Sequence, residues 1–170
     1  VNESEMNNKK VMAICSFHIL HNLSCCPGVD LHGNVNPDVL RVYIYRLYEL
    51  SAERHRAQVV DMVVGSLLGN LPRNDSYPQS VLGEIVEELK SDSVDEHIRI
   101  KIFNSRGVTT RAFAEGGNQE RSLVALFKSY RDKVRFKYPR LAKIFTNLMR
   151  EYEHYANQED YIAQLEDLEY

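Results

Sequence analysis

Residues 118–169, NQERSLVALFKSYRDKVRFKYPRLAKIFTNLMREYEHYANQEDYIAQLEDLE, carry two apolar stripes with one proline between them. Leu123, Phe127, Tyr130 and Val134 recur at steps of four, three and four, which makes one face of a helix apolar. Leu141, Phe145, Leu148, Tyr152 and Tyr155 repeat the rhythm on a second helix, continued more weakly by Ile162 and Leu165. Pro139 ends the first helix, because it lacks an N–H and disfavours helical geometry in the residue before it; the same residue suits the first turn of the next helix. Asn118 is the expected N-cap, with Gly116 and Gly117 loosening the chain just ahead of it. The spacing therefore predicts a long antiparallel helical hairpin over 118–169, each stripe covering the other. A second helix of ~30 residues is about 45 Å long at ~1.5 Å per residue, so its far end is expected to outrun its partner.

The same period runs upstream. Residues 1–8 are polar and expected to be flexible. A short helix is expected over 10–23, ended by Cys26-Pro27-Gly28, followed by a loop to residue 36. Asn36-Pro37-Asp38 combines a cap, a proline at the first helical position and an acid favoured by the helix dipole. Val39, Leu40, Tyr43, Ile44, Leu47 and Leu50 give the following helix an apolar face. Residues 51–70 are helical as well, either as a second helix capped by Ser51 or as one continuous helix. Val59 to Leu68 is apolar nearly all round, which places it in the core. Val81, Leu82, Ile85, Val86 and Leu89 mark another helix after the breakers at 69–78. Ser93-Val94-Asp95-Glu96 matches a capping box and predicts a helix over 94–104, closed near Gly107. The alternation His97-Ile98-Arg99-Ile100-Lys101-Ile102 also fits a strand, so 97–103 has two readings, of which the capping box favours helix. The fold class is all-α: an irregular multi-helix bundle of about six helices, read as one domain over 1–170, with its core in 39–68 and the C-terminal hairpin packed on it.

A chain of 170 residues with 44% hydrophobic and 26% charged content has the composition of a globular protein large enough to bury a core. The net charge of −3 speaks against general nucleic-acid binding by bulk electrostatics. No apolar run approaches the ~20 residues of a membrane-spanning helix, so no membrane partner is expected. Three cysteines do not make a disulfide framework, and a reducing, cytoplasmic setting is the expectation. The first residue is Val1, which fits a processed product or a piece of a longer chain as well as a complete one.

Three groups of residues carry possible chemistry. In 106–121, Arg106, Arg111, Arg121 and the run Gly116-Gly117-Asn118 could gather a phosphate or carboxylate at a helix N-terminus. The spacing matches neither the P-loop nor the dinucleotide fingerprint. The plainer alternative is a glycine connector whose arginines pair with Glu115, Glu120 and the acidic end of the hairpin. In 128–143, seven basic residues face one acid: Lys128, Arg131, Lys133, Arg135, Lys137, Arg140 and Lys143 against Asp132, with Tyr130, Phe136 and Tyr138 among them. That mixture could grip nucleic acid or an acidic protein face. Past Arg150 the chain holds acids and no Lys or Arg, an imbalance suited to head-to-tail association between copies. The third group, Cys15 and His18 with His21, Cys25, Cys26 and His32, matches no standard zinc spacing, so no metal is expected.

No nucleophile elbow, HExxH or kinase signature is present. The expected function is a non-catalytic helical module, without a cofactor, that binds another protein or itself through the C-terminal hairpin. Its contact surface is expected to include Lys128, Arg131, Arg135, Lys137, Tyr138, Arg140, Tyr152, Tyr155 and Tyr161. A phosphate- or nucleotide-binding protein or small enzyme using 106–121 is the alternative, and nucleic-acid binding through 128–143 is a second.

Overall fold

A computed structural model describes residues 6–12, 14, 26–53, 57–107, 109–112 and 115–168. It is all-helical. Residues 6–12 are helical, which corrects the expectation of a loose segment for 6–8. Six helices follow: α1 (Pro37–Ala52), α2 (Ala57–Gly69), α3 (Ser80–Leu89), α4 (Asp92–Asn104), α5 (Asn118–Val134) and α6 (Pro139–Leu168). The expected helix at 10–23 lies mostly outside the described residues.

Helix starts follow local chemistry. Asn36 caps α1, its side chain accepting from the N–H groups of Asp38 and Val39 at 3.1 and 3.2 Å. The stretch 37–69 is two helices rather than one. Ser51 caps neither, since its hydroxyl donates back to the Tyr48 carbonyl. α4 resolves 97–103 as helix, with Val94, Ile98 and Ile102 buried at steps of four and Ile100 left on the outer side. The capping box is a correction. Ser91, not Ser93, caps α4 by accepting from Val94 N–H, and Glu96 pairs with Arg99 instead of reaching back. Ser91 has a second reason to win, because its hydroxyl donates to Asp61 on α2, which also accepts from Tyr48 on α1. One carboxylate thus ties three helices.

The core takes in the expected stretch 39–68 and extends beyond it through α3, α4, α5 and α6. Leu40, Ile44, Val60, Val64, Leu67 and Leu68 are buried, and α4 lies between α2 and α6 and packs against both. α2 crosses α4 over Gly65 and Gly69. A methyl group on Gly65 would stand 2.7 Å from the Val94 carbonyl, and one on Gly69 2.7 Å from Lys101 Cβ. Two glycines a turn apart therefore let the helices approach closely, a role the apolar pattern around them does not announce.

The most extensive helix pairing in the fold is α5 with α6. Their contacts run in opposite directions along the chain: Arg121 meets Asp160, Phe127 meets Tyr152 and Phe145, and Tyr130 meets Phe145. Phe127 stacks on Tyr152 at 5.6 Å between centroids and 9° between planes. Leu141, Phe145, Leu148, Tyr152 and Ala156 of α6 are buried. Aromatic pairs of this kind add about 0.5–1.5 kcal/mol each beyond the area they bury. Phe103 of α4 and Tyr77 of the loop before α3 extend the cluster, at 5.2 Å from Tyr152 and 4.9 Å from Tyr130.

Replacing Gly65 by Ala forces apart two helices that have no slack. A loss of about 1–3 kcal/mol is expected, typical of overpacking, read as a lower urea midpoint. An unchanged midpoint would refute the close crossing.

Candidate functional site

Arg106, Arg111, Gly117, Glu120 and Arg121 form one charged joint with Glu159 and Asp160 of α6. Asn118 is a correction: α5 begins at that residue, Gly117 stands at the cap position, and the Asn118 amide donates to the Glu115 carbonyl rather than capping the helix. Gly116 has φ +62°, and a methyl group there would sit 2.8 Å from Asp160 Oδ1. A Cβ on Gly117 would overlap the backbone of Ala156. The glycine pair is thus needed for two reasons: a left-handed turn, and room for α6 to pass.

The anion at this helix start belongs to the chain itself. Gly117 N–H donates to Asp160 Oδ1 at 2.8 Å, and Arg121 pairs with the same carboxylate. Glu120 is fully buried. Arg106 reaches it at 2.6 Å, Arg111 pairs with the same oxygen, and Arg111 extends to Glu159 at 2.9 Å. The Arg106 guanidinium also lies over the Tyr152 ring, 5.8 Å from its centre. The structure places Arg106, Arg111, Gly116, Gly117 and Arg121 around carboxylates from α5 and α6, the arrangement of the glycine-connector reading. A phosphate ligand here would have to displace Glu120 or Asp160.

The charges are tuned accordingly. Burial alone would push the Glu120 carboxyl up, but the hydrogen bonds from Arg111 and Arg106 outweigh it and hold the group below its ordinary range. Asp160 is held at about 2, first by Arg121 and then by Gly117 N–H.

The basic turn divides into cations that form ion pairs and cations held by other contacts, such as Lys133, which donates to the Tyr77 carbonyl at 3.4 Å. Arg131 pairs with Asp132, while Arg140 reaches Asp92 at 2.8 Å and Asp95 at 2.6 Å. Arg140 therefore ties α6 to α4. Among the described residues, Lys128, Lys133, Arg135 and Lys137 sit in no ion pair. Phe136, at the tip, is 88% exposed, with the Arg135 guanidinium 4.5 Å from its ring centre. Two members of the expected contact surface are corrected. Tyr138 is 7% exposed and packs over Gly83, and Tyr152 is 1% exposed in the aromatic stack. Tyr155 leans on Phe103 at 5.6 Å, and Tyr161 is 63% exposed. Phe136, which that surface omitted, is the most exposed aromatic of the turn.

Past Asp160, α6 continues beyond the start of α5. Its next residues expose Tyr161, Ile162 (47%) and Leu165 (45%) on neighbouring turns. Elsewhere, a cavity of about 170 Å³ opens between α4 and α6, lined by Asp92, Asp95, Glu96, Arg99, Lys143, Ile144 and Asn147. Its acids are committed to Arg140 and Arg99. Cys15 and His18 lie outside the described residues, and among the described residues no His, Cys, Asp and Glu group is arranged to hold a metal. No described helix is long and apolar enough to cross a membrane. Comparison of the chain with protein-family models, curated proteins and solved structures finds no match.

Two outcomes are expected from the joint. Glu120→Gln removes the charge shared by two arginines and should cost about 1–3 kcal/mol, less than a fully buried pair because both arginines keep some water. Urea unfolding checks it, with Asp75→Asn at an exposed loop position as the control. Asp160 has a folded pKa of about 2 against an ordinary 3.8, so its contribution is fully present above pH ~4 and lost as pH falls toward 2. Asp160→Asn should flatten the stability profile over that interval. An identical acid slope in wild type and variant would show that the carboxylate is not held as described.

Proposed function

We propose that this chain is a helical interaction module whose contact element is the far end of α6. One observation carries the reading. The helix buries its apolar face from Leu141 to Ala156, then continues past its partner with Tyr161, Ile162 and Leu165 exposed together. Neighbouring exposed apolar side chains on one helix face are a feature of docking surfaces, where an amphipathic helix lays its stripe into a partner. Tyrosine suits such a place, since it offers apolar area and one hydrogen bond. The charged joint at Gly117 and Asp160 supports the reading further. It anchors α6 just before the exposed turns, so they are presented on a fixed rod and less ordering is needed on binding.

The test uses the full chain, tagged and recovered from its source cells, beside a variant with Tyr161, Ile162 and Leu165 all changed to Ser. Native mass spectrometry should find a protein partner, either another chain or a second copy, on the wild type and at least ~10-fold less on the variant, a difference of about 1.4 kcal/mol. Circular dichroism melting should be the same for both, because the three side chains lie outside the buried stripe. Equal assemblies on both, or a wild type that is a bare monomer in the cells, would overturn the proposal.

A further inference from the structure

We infer that the partner of the α6 far end is a second copy of this chain, and that the surface docking there is the basic turn between α5 and α6. The inference rests on the preceding reading of that far end as a contact surface.

The turn has what the far end lacks. Arg135, Phe136 and Lys137 project at its tip, and among the described residues neither cation is ion-paired within the chain. Arg135 lies against the Phe136 ring, and Lys137 stands 4.9 Å from the centre of the Tyr138 ring. The exposed Phe136 ring therefore carries one guanidinium against it, and a second cation follows it in the chain. The far end is its complement in both respects. It exposes Tyr161, Ile162 and Leu165, and its sequence past Arg150 contains no Lys or Arg. Glu159 and Asp160 are spoken for by Arg111 and Arg121. Glu153 is exposed on the same rod, and the sequence adds Glu166, Asp167 and Glu169. Like ends of two copies repel, and unlike ends attract and place apolar groups together. The two surfaces sit at opposite ends of α6, roughly 35–40 Å apart at ~1.5 Å per residue, too far to meet within one rigid rod. Contact between them must join two molecules. If it is reciprocated it closes a dimer, and if not it extends a chain.

Sedimentation velocity on the full chain tests this, with two variants made at exposed positions. The turn variant carries Arg135→Glu, Phe136→Ser and Lys137→Glu; the end variant carries Ile162→Lys and Leu165→Lys. Wild type should self-associate in the micromolar range at low salt and at least ~10-fold more weakly near 0.5 M salt, where screening shortens to a few ångströms. Each variant alone should be monomeric with an unchanged melting curve. Mixed, the two should form a complex, because each retains the surface the other lost. A monomeric wild type, a mixture that stays monomeric, or a salt-insensitive association would overturn the inference. If the end variant loses assembly while the turn variant keeps it, the turn is not the docking surface and only this inference falls. If both variants keep the wild-type mass, the reading of the far end falls with it.

Discussion

The stack of Phe127 on Tyr152, with Phe145 beside them, is the contact on which the rest of the molecule depends. It fixes the rotation of α5 and α6 about their own axes, and two positions elsewhere inherit that setting. With Tyr152 turned inward, Ala156 is brought against Gly117 one turn further on, and Asp160 then arrives at the N–H of Gly117. The charged joint is thus a consequence of the aromatic packing as well as a reinforcement of it. Moving the stack by one residue would present other side chains to Arg106 and Arg111 and leave both glycines without a reason.

Polar ties organise the other side of the bundle. Asp61 accepts from Tyr48 and Ser91, and Arg140 joins α6 to the first turn of α4 through Asp92 and Asp95. Such contacts stabilise less than apolar burial does, but they are directional, so they select one arrangement among several that bury similar area. Asp95 shows the cost, since burial holds its carboxyl above the ordinary range in spite of Arg140.

What could be read in advance follows from how far each signal reaches along the chain. The stripes of α5 and α6 are long and regular, and period alone yields them: Leu123, Phe127, Tyr130 and Val134 all turn inward. Tyr152 belongs to the α6 stripe, so its burial was implied by the period even though its hydroxyl invites a surface reading. The start of α4 was off by two residues because Ser91 and Ser93 are equally good caps locally. Asp61, thirty positions away, decides between them. The arginines at 106–121 were legible as an anion-seeking group, since guanidinium forks and glycine N–H groups have that chemistry in any setting. That the anions come from α5 and α6 was one of two open readings, and only the antiparallel pairing selects it. The Gly65 and Gly69 crossing left no usable trace, because a missing side chain shows its purpose only when the neighbouring helix is in place.

The mode of attachment of α1 has a thermodynamic consequence. Leu40 and Ile44 are its only fully buried described side chains; Tyr43, Leu47 and Tyr48 are half-buried against the core, and ionic or polar ties run from Arg41 to Glu84 and Glu88 and from Tyr48 to Asp61. A segment with few buried apolar contacts opens at a fraction of the global unfolding free energy. The molecule is thus built as a firm block with a lightly fastened flap, and calorimetry would meet a heat signal broader than one all-or-none transition yields.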